Sequence, residues 1–389
     1  VLSPDKLRIT HPSPNANSMN TPNEFNDDIL TKLLKDIIKY ACANVANQLQ
    51  IEELCESVEE NGRWLLDSLS THQAISFVAS FFGLANEKQL NSLVHCTNLA
   101  KIRDAAKHQL SQPDVKLTFF TSGTTAKPKA ITHTLHDLSA EAAQWRRVID
   151  SDDSVNVFTY VPLNHIYGFI WGALLSNMTR APLYDIRDRL MLTLDINKPS
   201  IVVAIPSMHE LLLMMPQKSK ANATLILSTE PCKHDALVEL ENSGYKKVVQ
   251  IYGSTETGGV GWRNARNSDY TLRKDLNMIN GDIYNRLGSK LQIQDTLTFV
   301  NDSTFTVGER VDKSIQVNGY NTSDRYVEQK LMALPIVKKA VVQIRQENGR
   351  KMLRAELSTH NGYSLQDVVN SFDAELRRAL PAQNIHFFI

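Results

Sequence analysis

Three short apolar runs lie in order along the middle of the chain: residues 200–206 (SIVVAIP), 225–228 and 247–252. They are rich in β-branched and aliphatic residues and show no polar alternation, which is how strands covered on both faces read. Between them, residues 208–215 and 234–244 carry helix-forming sequence. Strands alternating with helices predict an α/β fold, a mixed sheet with helices on its faces. Ligands of such sheets gather beyond the carboxyl ends of the strands. Two polar stretches fall at such ends, Ser228-Thr229-Glu230-Pro231 and Tyr252-Gly253-Ser254-Thr255-Glu256-Thr257.

A third polar stretch lies upstream. Residues 117–135 read LTFFTSGTTAKPKAITHTL: an apolar run, then Thr121-Ser122-Gly123-Thr124-Thr125, then Lys127-Pro128-Lys129, then a second β-rich run over 130–134. This predicts strand, hydroxyl-rich loop, strand. Hydroxyls, backbone amides and two lysines in one loop can surround a phosphate chain. A polar hairpin turn has the same composition, since Ser, Thr and Gly favour turns. The Walker arrangement is excluded by the glycine spacing and the missing Lys-Ser/Thr ending.

The order of residues separates these readings. Residues 121–129 resemble the T-S-G-[ST]-T-G-x-P-K loop of the adenylate-forming superfamily, which holds acyl-CoA synthetases, peptide-synthetase adenylation domains and luciferases. Ala126 stands in place of that loop's second glycine, which costs about 1 kcal/mol if the position needs a positive φ and only stiffens the loop if it does not. Tyr252, Thr255 and Glu256 match the superfamily's Y-G-x-T-E motif. The resemblance implies that Tyr252 stacks on adenine, Thr255 meets the α-phosphate and Glu256 holds Mg²⁺. It also implies that Thr121, Ser122, Gly123, Thr124, Thr125, Lys129, Ser228, Thr229, Glu230 and Gly253 surround the nucleotide. PLNHIYGF (residues 162–169) resembles a P-L-F-H-x-x-G segment, so His165 is expected to order the acyl pocket, not to transfer a proton.

Farther on the resemblance thins. The T-G-D whose aspartate binds ribose is not found, and Asp295 and Asp302 are the only nearby candidates. Losing two charge-assisted hydrogen bonds there would weaken nucleotide binding by about 2 to 4 kcal/mol. Residues 308–313 (GERVDK) resemble the superfamily's hinge, with Arg310 toward the nucleotide and Asp312 as the pivot. Gly319 is retained in the loop that follows, where Asn321 replaces an arginine. Strands over 338–345 and 352–358 and an amphipathic helix over 367–380 then come in the expected order. In the superfamily that helix leads to a G-K lysine, and the chain is read as ending just short of it.

The expected organisation is a disordered leader (1–24), a large N-terminal domain with the nucleotide and acyl pocket (25–307), and a small α+β domain after the hinge (308–389), taken as truncated. The resemblance covers residues 55–389 loosely and is specific only at 121–129 and 252–256. A chain of 389 residues has room for two or three cores. Lys+Arg and Asp+Glu are equal at 42 each, so nothing in the charge balance points to nucleic acid or an anionic membrane. The four cysteines, Cys42, Cys55, Cys96 and Cys232, form no C-x-x-C pair and read as reduced thiols. With no membrane-spanning run and no signal-peptide core, a cytoplasmic protein is expected.

The resemblance implies an AMP-forming acyl- or aryl-acid ligase with ATP, Mg²⁺ and CoA, or the phosphopantetheine of an acyl carrier protein, as co-reactants, and a small-molecule carboxylic acid as substrate. Two other readings stand beside it. Ala126, the absent T-G-D and Asn321 suit a degenerate homologue that binds nucleotide weakly or serves as a partner protein. Asp67-Ser68-Leu69 resembles the attachment motif of acyl carrier proteins, though a serine at a helix start reads the same way.

Overall fold

The computed structural model describes residues 24–42, 68–84, 99–121, 129–149, 155–187, 196–310, 315–317, 320–347, 350–360, 362–373, 376–377, 380 and 385–387. Residues 1–23, which hold nearly all of the expected leader, lie outside this set, as do Asp67, Cys55 and Cys96.

Helix α1 (Asp27–Cys42) buries Ile29, Leu30, Leu33, Leu34, Ile37, Ile38 and Ala41 at helical spacing. Its cap is Asn26, whose Oδ1 accepts from the Asp28 amide at 2.9 Å and the Ile29 amide at 3.3 Å. Asp27 is thereby free to pair with Lys107 of α3 (Leu99–Leu110) at 2.8 Å. Helix α2 (Ser68–Phe82) packs beside α1 and opens at Ser68. Its aromatic face grips the antiparallel hairpin of β1 (Lys116–Thr121) and β2 (Lys129–Thr134), with Phe81 5.2 Å from Phe119 and Phe77 5.0 Å from Phe120 between ring centroids. Helix α4 (Leu135–Ile149) follows β2 without a break.

The predicted α/β architecture is present. A nine-stranded sheet runs, by residue range, in the order 295–301, 304–310, 267–272, 258–264, 247–254, 223–227, 200–204, 156–159 and 183–185. Its parallel part holds β3 (Asn156–Thr159), β4 (Leu183–Asp185), β5 (Ser200–Ala204), β6 (Ala223–Leu227) and β7 (Lys247–Ser254). Every residue of β5 and β6 is buried, as unalternated apolar runs require. Helix α5 enters after β3 as one run, Ile166–Gly168, a wide π segment Phe169–Leu174, and Leu175–Thr179. Its Trp171 stacks on Trp145 of α4 with ring centroids 5.9 Å apart and planes inclined by 28°, both buried in the main core. Helices α6 (His209–Leu213), α7 (Gln217–Asn222) and α8 (His234–Asn242) connect β5, β6 and β7. From β7 the chain turns back as β8 (Gly258–Asn264) and β9 (Asn267–Leu272), antiparallel. The β10 (Asn277–Ile279)–β11 (Asp282–Tyr284) hairpin follows, then β12 (Asp295–Asn301) and β13 (Thr304–Arg310) complete the edge.

Beyond β14 (Ile315–Val317) and β15 (Tyr320–Thr322), a smaller three-stranded sheet has a hydrophobic core of its own. It comprises α9 (Asp324–Met332), β16 (Val337–Glu347), β17 (Arg350–Thr359), α10 (Leu365–Asn370) and β18 (Ile385–Phe387). The single helix expected over 367–380 is interrupted instead. Helix α10 begins earlier, at a Ser364–Asp367 capping box, and stops at Ser371; Asp373 then caps a new turn by accepting from the Leu376 amide at 2.7 Å. No helix of the described residues is long and apolar enough to cross a membrane.

Candidate active site

The two polar stretches lie side by side at the carboxyl ends of β6 and β7, and the β1–β2 hairpin meets the second of them. Lys129 opens β2, and its Nζ lies 3.0 Å from the Glu256 Oε1 in the turn between β7 and β8. The Lys129 side chain is 58 % exposed and that of Glu256 23 %. Burial alone would raise the Glu256 carboxyl, but the hydrogen bond and charge of Lys129, with the Glu256 and Ser254 donors, hold it below the ordinary carboxylate range. The site therefore keeps a carboxylate ionised beside a cation, open to solvent.

Local chemistry shapes that turn. Ser254 pairs with Gly258 across the hairpin, and Gly258 takes a φ of +65°, the left-handed position that closes a three-residue loop. Thr257 Oγ1 accepts from the Ser254 amide at 3.0 Å and donates to Gly258 O at 2.8 Å. Thr255 offers its carbonyl to His133 of β2, whose Nε2 is 2.6 Å away. Thr121 at the end of β1 donates to the Lys129 carbonyl at 3.5 Å. Ser122, Gly123, Thr124, Thr125 and Ala126 lie outside the described residues, as do Asp312 and Gly319.

After β6 the chain carries Ser228, Thr229 and Glu230. The Ser228 hydroxyl donates to Ile251 O at 3.0 Å, lashing this end to β7. Glu230 accepts from the Ser207 amide at 2.7 Å and hydroxyl at 3.1 Å. Between them Thr229 sits at φ +77° with its buried Oγ1 unpartnered. A β-branched residue in that region is strained by about 1 to 3 kcal/mol, and such strain concentrates at ligand sites.

Tyr252, next to Gly253 near the end of β7, turns its ring toward Tyr270 and Phe305, and its hydroxyl donates to Asp295 Oδ2 at 2.8 Å. Burial, then the Asp295 charge and hydrogen bond, push the Tyr252 phenol far above its ordinary range. Arg310 is paired with Asp295 in the β12–β13 register, and its positive charge reaches Tyr252. Thus one of the two aspartates singled out in the sequence sits with Tyr252 and Arg310, whereas Asp302 lies in the turn after β12, at the other end of that strand. The spacing could have found it, since only the β12–β13 hairpin separates Asp295 from Arg310.

His165 stands immediately before α5, makes no capping bond, and is kept neutral by burial, which lowers its pKa below 6.5. A half-buried imidazole with no acid or base partner among the described residues suits a pocket wall better than proton transfer. What holds its segment in place is a long-range pair that sequence reading missed, although Asp36 stands within the apolar stripe of α1. Asp36 of α1, wholly inside, accepts from the Leu163 amide at 2.7 Å and pairs with Arg187 at 2.6 Å. Among the described residues no group of three or more His, Cys, Asp or Glu could hold a metal ion.

This geometry is shared with a known class of proteins. Residues 34–278 match the family described as AMP-binding enzyme, and the chain belongs to that family. It is a member of the adenylate-forming acyl-CoA ligase superfamily, the AMP-forming acid–thiol ligases. The 4-coumarate–CoA ligase of Cereibacter sphaeroides is 29 % identical over 323 residues, 82 % of this chain and 77 % of that one. A 4-coumarate–CoA ligase of Halorhodospira halophila is 26 % identical over 355 residues, covering 85 % and 86 %. The fold is also that of the amide bond synthetase McbA from Marinactinospora thermotolerans, with a TM-score of 0.60 at 14 % identity over 93 % of this chain and 90 % of that one. ATP and CoA are substrates typical of the family.

Proposed function

We propose that this chain activates an aryl carboxylic acid with Mg·ATP and transfers the acyl group to the thiol of CoA. In the first half-reaction the carboxylate oxygen attacks the α-phosphorus and pyrophosphate leaves; in the second, the thiol sulfur displaces AMP from the acyl carbon. The observation that carries this reading is the meeting of Lys129 and Glu256 at 3.0 Å from separate strands. Had those two groups lain on opposite sides of the molecule, no shared triphosphate pocket could exist.

The residues divide the work by their chemistry. Lys129, flexible and largely exposed, can swing to the phosphates and neutralise charge that grows as pyrophosphate departs. In this reading the Thr255 hydroxyl donates to the α-phosphate. Glu256, ionised and half-buried, fits a Mg²⁺ carried with the triphosphate, since that ion is commonly held by one carboxylate plus phosphate and water oxygens. Asp295, already an acceptor for Tyr252 and cross-strand from Arg310, suits the ribose hydroxyls, with Tyr252 against the base. That carboxylate weakens the degenerate-homologue reading, which rested partly on the missing ribose aspartate. Neutral, half-buried His165 and its apolar neighbours in α5 suit an apolar acid, and the two 4-coumarate relatives favour an aryl one.

Pyrophosphate exchange over a panel of aryl and fatty acids tests the proposal, with hydroxycinnamic acids expected to be the best substrates. No exchange with any acid, together with no calorimetric binding of ATP or an acyl-sulfamoyl adenylate mimic, would leave only a non-enzymatic role. Exchange followed by transfer to a carrier protein but not to CoA would correct the acceptor.

A further inference from the structure

Behind the Thr255–Glu256 turn lies a buried ionic cluster that none of the roles above uses. Glu141 of α4 turns its carboxylate inward: Oε1 accepts from the Gly259 amide at 2.7 Å and from Trp145 Nε1 at 2.9 Å, and Oε2 pairs with Arg273 Nη1 at 2.7 Å. The Glu141 and Arg273 side chains are 6 % and 8 % exposed. Arg273 Nη1 also donates to Gly259 O at 2.6 Å, and its Nε donates to Asp275 at 2.7 Å. Both polar groups of Gly259 are therefore held by this one pair.

The backbone is shaped to admit it. A Cβ at Gly258 would lie 2.2 Å from Glu141 Oε2, and one at Gly259 would lie 2.5 Å from the Trp145 ring and 2.9 Å from Glu141 Oε1. The other end of α4 continues directly from β2, the strand that begins with Lys129 and carries His133 to the Thr255 carbonyl. One helix is thus joined covalently to the lysine strand and by buried hydrogen bonds to the glutamate turn.

A buried ion pair gives little net stability over apolar side chains of the same shape. What it supplies here is a fixed distance. We infer that Glu141 is a positioning residue, acting through Gly259 and Arg273 to hold Glu256 in register with Lys129; its catalytic consequence rests on the ligase reading above.

The test is Glu141→Gln, which keeps shape, removes charge and leaves Arg273 its pairing with Asp275, with Glu141→Gln/Arg273→Gln as a second variant that removes both charges of the Glu141–Arg273 pair. The expected result is a rise of about tenfold in KM for Mg·ATP with little change in KM for the acid. In a double-mutant cycle, Glu141→Gln should add about twofold or less once Glu256→Gln is present, because both act on one interaction. A purely structural role predicts otherwise: a lower melting point, kcat reduced alike for all substrates, and additive losses in the cycle. Amide hydrogen exchange supplies a readout independent of activity, with faster exchange expected at 129–134 and 254–259 and none at β5 or β6. If the native enzyme neither exchanges pyrophosphate nor binds nucleotide, the ligase reading fails, and hydrogen exchange alone then decides the clamp. Unchanged or uniformly raised exchange in both variants overturns it.

Discussion

Removing the Lys129 ammonium should separate stability from activity. Lys129→Met keeps the aliphatic stem and deletes one partner of a pair whose lysine is 58 % exposed. A pair so open to water contributes about 0 to 1 kcal/mol to folding. At roughly 2 to 4 °C per kcal/mol for a domain of this size, the melting point should fall by a few degrees at most. Losing a single charge-stabilising donor at a transition state typically costs about 100- to 1,000-fold, or about 2.7 to 4 kcal/mol. Pyrophosphate exchange should therefore fall by at least about 2 kcal/mol more than stability does. The same substitution removes the Lys129 hydrogen bond and charge, the main part of what holds the Glu256 carboxyl below its ordinary value of 4.5 against burial. With a depressed folded pKa, the native contribution is present above the ordinary value and is lost as pH falls through the folded one. In Lys129→Met, the acid limb of both stability and activity should shift to higher pH. Exchange within twofold of wild type in a folded variant would refute the role of Lys129, and so would a melting loss large enough to account for all the missing activity.

Asp295→Ala should weaken ATP binding by about 2 to 4 kcal/mol if this carboxylate holds the ribose hydroxyls; an unchanged calorimetric Kd removes it from the site. Gly258→Ala should cost more in urea unfolding than Gly281→Ala. Both glycines have positive φ and share the left-handed strain of about 1 to 2 kcal/mol, but only the first meets a neighbour, the buried carboxylate, whereas nothing lies within 4 Å of the second. Equal losses would argue against the packing. His165 stays neutral when folded, so below its ordinary pKa of 6.5 the unfolded chain binds the extra proton and stability should fall as pH drops. His165→Phe should flatten that slope in urea titrations from neutral to mildly acidic pH, and an unaltered slope would place the titrating group elsewhere.

The features that sequence disclosed are those governed by local pattern. Residues 200–204 and 223–227 lack polar alternation because both faces of β5 and β6 are covered, and the structure buries them throughout. The T-E turn announced itself through Thr255, Glu256 and the glycines that close it. Where the reading slipped, a nearby polar side chain had outcompeted a longer pattern. Asp373 capped a new turn and broke a helix that apolar spacing would have run through over 367–380.

The buried charges follow a different rule. Leu138, Glu141, Ala142, Trp145 and Ile149 are all buried on one face of α4, as Leu33, Asp36 and Ile37 are on α1. A carboxylate within an apolar stripe is visible in the sequence, and physics requires that it be paired, because an unpaired buried charge is too costly to keep. The partner is what one sequence cannot supply: Arg273 for Glu141 and Arg187 for Asp36 lie more than a hundred residues downstream, on elements that tertiary folding alone brings near. Each pair also holds backbone beside the site, the Gly259 amide behind the glutamate turn and the Leu163 amide ahead of His165. A charged residue inside the stripe of a helix that borders a polar turn is therefore a signal for the scaffold of a site, even when the turn alone carries the motif.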